Sequence, residues 1–179
     1  LAVSDKPEGP YKDLGEPFFD PGYAVIDANL FFDDYGQVYL FYSRDCAENV
    51  VNGRPESHSY VVRVKEDLSG TQGEPVLLVK PTEPYEFYSG NTRWCEGPYV
   101  IKNGDIYYLM YSTNFYGAKE YSVCYATSNN VMGPYTKAEE NPILSYATDV
   151  KGKIYVSGPG HNSTVRTADG KDLFMVYHT

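Results

Sequence analysis

"KNGDIYYLMYS" (102–112) joins an Asn-Gly turn to a run of apolar and aromatic residues, and its layout returns twice along the chain. "DDYGQVYLFYS" (33–43) and "ADGKDLFMVYH" (168–178) share it: a turn closed by glycine, then an aromatic-rich strand. Asn-Gly and Asp-Gly favour positive φ, so each segment reads as the turn and second strand of a β-hairpin. The Tyr near each strand end (Tyr42, Tyr111, Tyr177) recurs at intervals of 69 and 66 residues. A second pair of segments holds the register: "SDKPEGPY" (4–11) and "SNNVMGPY" (128–135) share Ser and Gly-Pro-Tyr at one offset. Helical periodicity is nearly absent, and short alternating runs broken by Gly, Pro, Asn and Asp recur. A β-unit of this size, repeated, predicts an all-β chain of propeller blades.

Composition bounds the partners. The 179 residues are 42% hydrophobic and 22% charged, which suits a globular domain with a core or a piece of a larger one. A net charge of −9 lacks the basic footprint that nucleic acid or an anionic membrane surface requires, so neither is expected. No apolar run approaches the roughly 20 residues of a membrane span. With 19 Tyr and 8 Phe but one Trp, the aromatics fit half-buried pleated surfaces. They equally fit a surface that packs on sugar rings. Cys46, Cys95 and Cys124 have no metal-ligand spacing.

Stepping back from each repeated Tyr reaches a titratable residue near the start of the preceding strand. Fifteen residues before Tyr42 is Asp27, fifteen before Tyr111 is Glu96, and sixteen before Tyr177 is His161. One such residue is an ordinary strand-start group. Three in register on a repeat predict a shared slot, with the three side chains turned from successive inner strands into one funnel.

The segments "IDANLFFDDYGQVYLFYS", "EGPYVIKNGDIYYLMYS" and "GPGHNSTVRTADGKDLFMVYHT" resemble consecutive blades of glycoside hydrolase family 43, the five-bladed propeller enzymes that cleave arabinofuranosides and xylosides. The resemblance covers nearly the whole chain. It implies that Glu96 is the general acid, that Asp27 tunes and orients that acid, and that His161 lies near the axis against a structural calcium or an ordered water. No cofactor is implied for the chemistry itself. The family's base, an Asp on the inner strand of the first blade, has no counterpart here. The repeat puts its position about 28 residues before Leu1. The chain is therefore expected to be a fragment: 1–20 the end of one blade, 21–85 a second, 86–145 a third, and 146–179 the start of a fourth. Its expected partners are a carbohydrate and the rest of its own propeller, and the fragment alone is expected to be inactive. The resemblance also implies a secreted or periplasmic protein.

The remaining candidates stay open at this stage. Trp94, Arg93 and Asn29 are the candidate substrate-binding residues, by stacking, hydroxyl recognition and orientation. Trp94 reads equally as a core residue, and Arg93 as half of a salt bridge. Asn29 and Asn162 follow their slot residues and could orient them. His58 and His178 carry no motif and are read as structural. The polar stretch 42–60 is a rim loop or a solvated insertion. Rival readings of the whole are a sugar-binding propeller without catalysis, a retaining relative, and a repeat protein whose slot residues merely finish strands.

Overall fold

The computed structural model describes residues 1–88 and 90–179, and nearly all of its regular structure is strand. A short hairpin, β1 (Ala2–Val3) and β2 (Lys12–Asp13), comes first. Two antiparallel ladders follow. The first runs β3 (Val25–Phe32), β4 (Val38–Arg44), β6 (Arg54–Val64) and β7 (Thr71–Val79), with the two-residue β5 (Val50–Val51) beside the start of β6. The second runs β8 (Arg93–Asn103), β9 (Ile106–Thr113), β10 (Ser122–Ser128) and β11 (Thr136–Lys137). A small hairpin, β12 (Ala147–Thr148) and β13 (Ile154–Val156), leads to a last one, β14 (Gly160–Arg166) and β15 (Leu173–His178). The fold is all-β and built of propeller blades, as the repeat predicts. β3 and β14 both pack against β8.

Turn chemistry explains the hairpins. Asp33 Oδ1 accepts from the N–H groups of Tyr35 and Gln37, at 2.9 and 2.8 Å, and so shapes the turn before β4. Gly104, at φ 59°, closes the turn between Asn103 and Ile106. β4 is buried from Val38 to Ser43 without alternation, because both of its faces are covered. Phe41 joins a core with Val61, Leu109, Tyr111 and Cys124, shared by the two ladders. Val38, Leu40 and Tyr42 point the other way, under Phe18, Phe19 and Tyr23 of the preceding arm.

One buried charge ties the second ladder to its approach segment. Glu86 is fully buried and accepts from the N–H groups of Thr82 and Glu83, at 2.7 and 2.8 Å, and from the Tyr111 hydroxyl at 3.0 Å. The Lys137 ammonium lies 2.6 Å from the same carboxylate.

The inner strands share a defect that corrects the sequence-derived register. In each, two residues bulge opposite the repeated Tyr: 27–28 against Tyr42, 97–98 against Tyr111, 161–162 against Tyr177. The first residue of each bulge has positive φ: Asp27 at 60°, Gly97 at 60° and His161 at 49°. Gly97, not Glu96, is thus the counterpart of Asp27 and His161. Glu96 stands one place earlier, with Ile26 and Gly160. Counting back from Tyr does not show this, because the turns between the paired strands differ in length: 33–37, 104–105 and 167–172.

The bulges also latch the units together. The Gly97 N–H donates to Ser43 Oγ at 3.1 Å, and the His161 N–H donates to Ser112 Oγ at 2.8 Å. Each serine stands directly after the repeated Tyr of the preceding hairpin, so the same bond recurs at successive seams.

Candidate active site

A cavity of about 420 Å³ opens where β3, β8 and β14 meet, lined by Asp27, Glu96 and His161. Trp94, Phe115, Tyr116 and Tyr121 form its aromatic wall, and Asp45, Cys46 and His178 complete the polar part. Size does not single it out, since a cavity of about 380 Å³ lies between Tyr85, Tyr88 and Tyr146. Its concentration of titratable groups does.

Glu96 is only 8% exposed, yet its carboxyl reaches the cavity. Burial pushes its pKa up to about 8, and the neighbouring carboxylates of Asp27 and Asp45 add to the rise. A hydrogen bond from the Tyr121 hydroxyl to Oε1, at 3.1 Å, works the other way and is outweighed. Near neutral pH this carboxyl keeps its proton.

Asp27 is held where it can act on that group. Its Oδ2 accepts from Ser43 Oγ and from the Gly97 N–H, each at 2.9 Å, so it is bonded to the peptide that follows Glu96. The other oxygen, Oδ1, is 3.9 Å from His161 Nδ1. Gly97 suits this place because its φ of 60° disfavours a side chain, and it lies against the His161 ring.

Among the described residues no three His, Cys, Asp or Glu side chains gather as a metal-binding set. His161 and Asp27 offer one imidazole and one carboxylate oxygen, whereas calcium takes six to eight oxygens. These two residues alone do not make a calcium site.

The structure separates the other candidates. Trp94 is on the wall, 5.7 Å from the Phe115 ring, and Phe115 in turn is 4.8 Å from Tyr116. Arg93 is not on the wall: its guanidinium packs over Phe87 at 4.8 Å and bonds the carbonyls of Gly90 and Thr92. Among the described residues it makes no salt bridge, and it does not line this cavity. Asn29 lies beyond the bulge, opposite Phe41, and does not line the cavity. Asn162 is buried, with Nδ2 directed at Met110 Sδ at 3.2 Å. His58 is structural, as expected, bonded to Glu56 at 2.8 Å.

His178, read from sequence as structural, lines the cavity with its ring 5.5 Å from Tyr121. A signal existed: His178 follows its repeated Tyr as Ser43 and Ser112 follow theirs. The stretch 42–60 divides. Asp45 and Cys46 reach the rim, and residues from Arg54 onward become β6. Tyr121 had no repeat to reveal it.

A carboxyl that keeps its proton beside a cavity matches the general acid, one of the two carboxyl groups that glycoside cleavage uses. The model of the Glycosyl hydrolases family 43 matches residues 1–179, and the chain belongs to that family. It is 34% identical to the β-D-galactofuranosidase xynD of Aspergillus niger, over 99% of this chain and 45% of that protein. It is 28% identical to the extracellular endo-α-(1→5)-L-arabinanase 2 of Bacillus subtilis, over 100% of this chain and 44% of that protein. Among solved structures, a thermostable family-43 glycoside hydrolase superposes with a TM-score of 0.92 at 44% identity, over 99% of this chain and 55% of the other. An endo-1,4-β-xylanase from Bacteroides thetaiotaomicron gives 0.81 at 32% identity, over 99% and 56%. The chain thus spans about half the length of the relatives it matches. No helix among the described residues is long and apolar enough to cross a membrane.

Proposed function

We propose that the protein containing this chain hydrolyses arabinofuranosides or xylosides of plant polysaccharides, with Glu96 as general acid. The observation that carries the reading is a buried carboxyl held near pH 8 that still opens on the cavity. Glu96 gives its proton to the glycosidic oxygen as the bond from that oxygen to the anomeric carbon breaks. Water adds to the anomeric carbon from the opposite face and loses a proton to a second carboxylate, inverting the centre. Asp27 disfavours early loss of the proton from Glu96 through its negative charge. Its own oxygens are turned to Ser43, Gly97 and His161, so the water-activating carboxylate is assigned to a part of the protein outside these residues. Trp94 offers a face on which a sugar ring can stack. The extracellular arabinanase relative supports a site of action outside the cytoplasm.

The test uses the intact protein and Glu96→Gln. Turnover of alkyl or oligosaccharide substrates should fall about 10²–10⁴-fold, while aryl glycosides with good leaving groups lose far less. Equal retention on both classes sinks the acid assignment. NMR of the first-formed product distinguishes inversion from a retaining mechanism. The 34% identity to a galactofuranosidase puts 4-nitrophenyl β-D-galactofuranoside on the substrate panel beside the arabinofuranoside and xyloside.

A further inference from the structure

Tyr121 is 1% exposed and belongs to no repeat, yet it touches the centre of the site. Its hydroxyl donates to Glu96 Oε1 at 3.1 Å. The His161 backbone N–H, which can only donate, gives its hydrogen bond to Ser112 Oγ at 2.8 Å, so the Ser112 hydroxyl keeps its own hydrogen to give. Burial raises the Tyr121 pKa, and Ser112 works against that rise as a donor does.

We propose that Tyr121 is the positioning residue of the acid: it engages Glu96 through Oε1 and so leaves Oε2 to carry the transferable proton toward the cavity. The inference rests on Glu96 being the proton donor.

The ring is fixed as firmly as the hydroxyl. Gly160 lies against it, and a Cβ there would come within 2.0 Å of Tyr121 Cε1. In the strand register Gly160 has the place that Glu96 has in β8 and Ile26 in β3. The third inner strand therefore omits its side chain at the point where Tyr121 enters to meet the acid. On its other side the ring packs near His178, and its backbone N–H bonds the Ala118 carbonyl at 3.1 Å.

A buried Tyr needs some hydrogen-bond partner whatever its role, so the test must read something that packing alone would not move. A phenol donating to a carboxyl favours the ionised form, and Tyr121 does act in that direction on Glu96. In the intact enzyme, Tyr121→Phe should move the alkaline limb of kcat/KM upward by about one pH unit. It should also lower turnover of an alkyl arabinofuranoside about tenfold, with little change for 4-nitrophenyl α-L-arabinofuranoside, whose leaving group needs no proton. Should the Phe variant fail to fold, Ser112→Ala removes the group that works against the rise in the Tyr121 pKa, without touching the ring. It must shift the limb the same way.

An unmoved alkaline limb with equal losses on both substrates overturns the inference if Glu96→Gln still discriminates between them. If Glu96→Gln does not discriminate, the acid assignment itself falls, and this inference with it. The two failures are distinct.

Discussion

Replacing Glu96 by Gln should change how stability depends on pH, independently of any substrate. The Glu96 carboxyl is raised from an ordinary 4.5 to about 8 in the folded chain, chiefly by burial. Between those values the folded protein holds a proton that the unfolded chain has released. Its contribution to stability is therefore complete below about 4.5 and is lost as pH rises through about 8. The slope is about 1.4 kcal/mol per pH unit, and the whole span amounts to about 5 kcal/mol at most. Gln keeps the shape of the protonated acid and can still accept from Tyr121, but it does not titrate. Urea unfolding of the intact protein near pH 5 and near pH 9 measures the effect as the difference between wild type and variant. The other titrating groups are common to both and largely cancel. The two should be close near pH 5, with the Gln variant the more stable by several kcal/mol near pH 9. Parallel pH dependences would refute the buried, proton-holding Glu96 on which the proposed chemistry stands.

Asp27→Asn removes a negative charge that helps raise Glu96, so the alkaline limb of the pH–rate profile should move downward, opposite to the shift expected for Tyr121→Phe. Gly160→Ala drives a methyl group into the Tyr121 ring and should destabilise by about 1–3 kcal/mol, read as a lower Tm. Lys137→Ala leaves the fully buried Glu86 carboxylate without its cation and should lower stability by about 3–5 kcal/mol in urea titration. Adding Glu86→Gln to that variant should recover part of the loss, because the buried charge goes with it.

The hairpins could be read from sequence because their causes are local. Asp33, Asn103 and the following glycines act within a few residues, and the strands of 38–44 and 106–113 announce themselves by apolar content. The repeat points to Glu96 and Asp27, which both line the cavity, but with a register off by one, since a bulge is invisible to counting. What could not be read is what crosses between repeats. Tyr121 reaches Glu96 over 25 residues of chain, and Gly97 meets Asp27 over 70. Arg93 illustrates the converse: its place beside Trp94 suggested the site, but strand alternation turns its side chain toward Phe87.

The seam serines have a consequence in time. Glu96 and Tyr121 are synthesised before His161, whose backbone N–H bonds Ser112 Oγ, and before Gly160, which packs on the tyrosine ring. At 5–20 residues per second, the 40 residues from Tyr121 to His161 take roughly 2–8 s to make. Throughout that interval the nascent chain carries an acid whose support is unfinished. Its proton affinity should reach the mature value only once the hairpin of 160–178 has docked on the strands made before it.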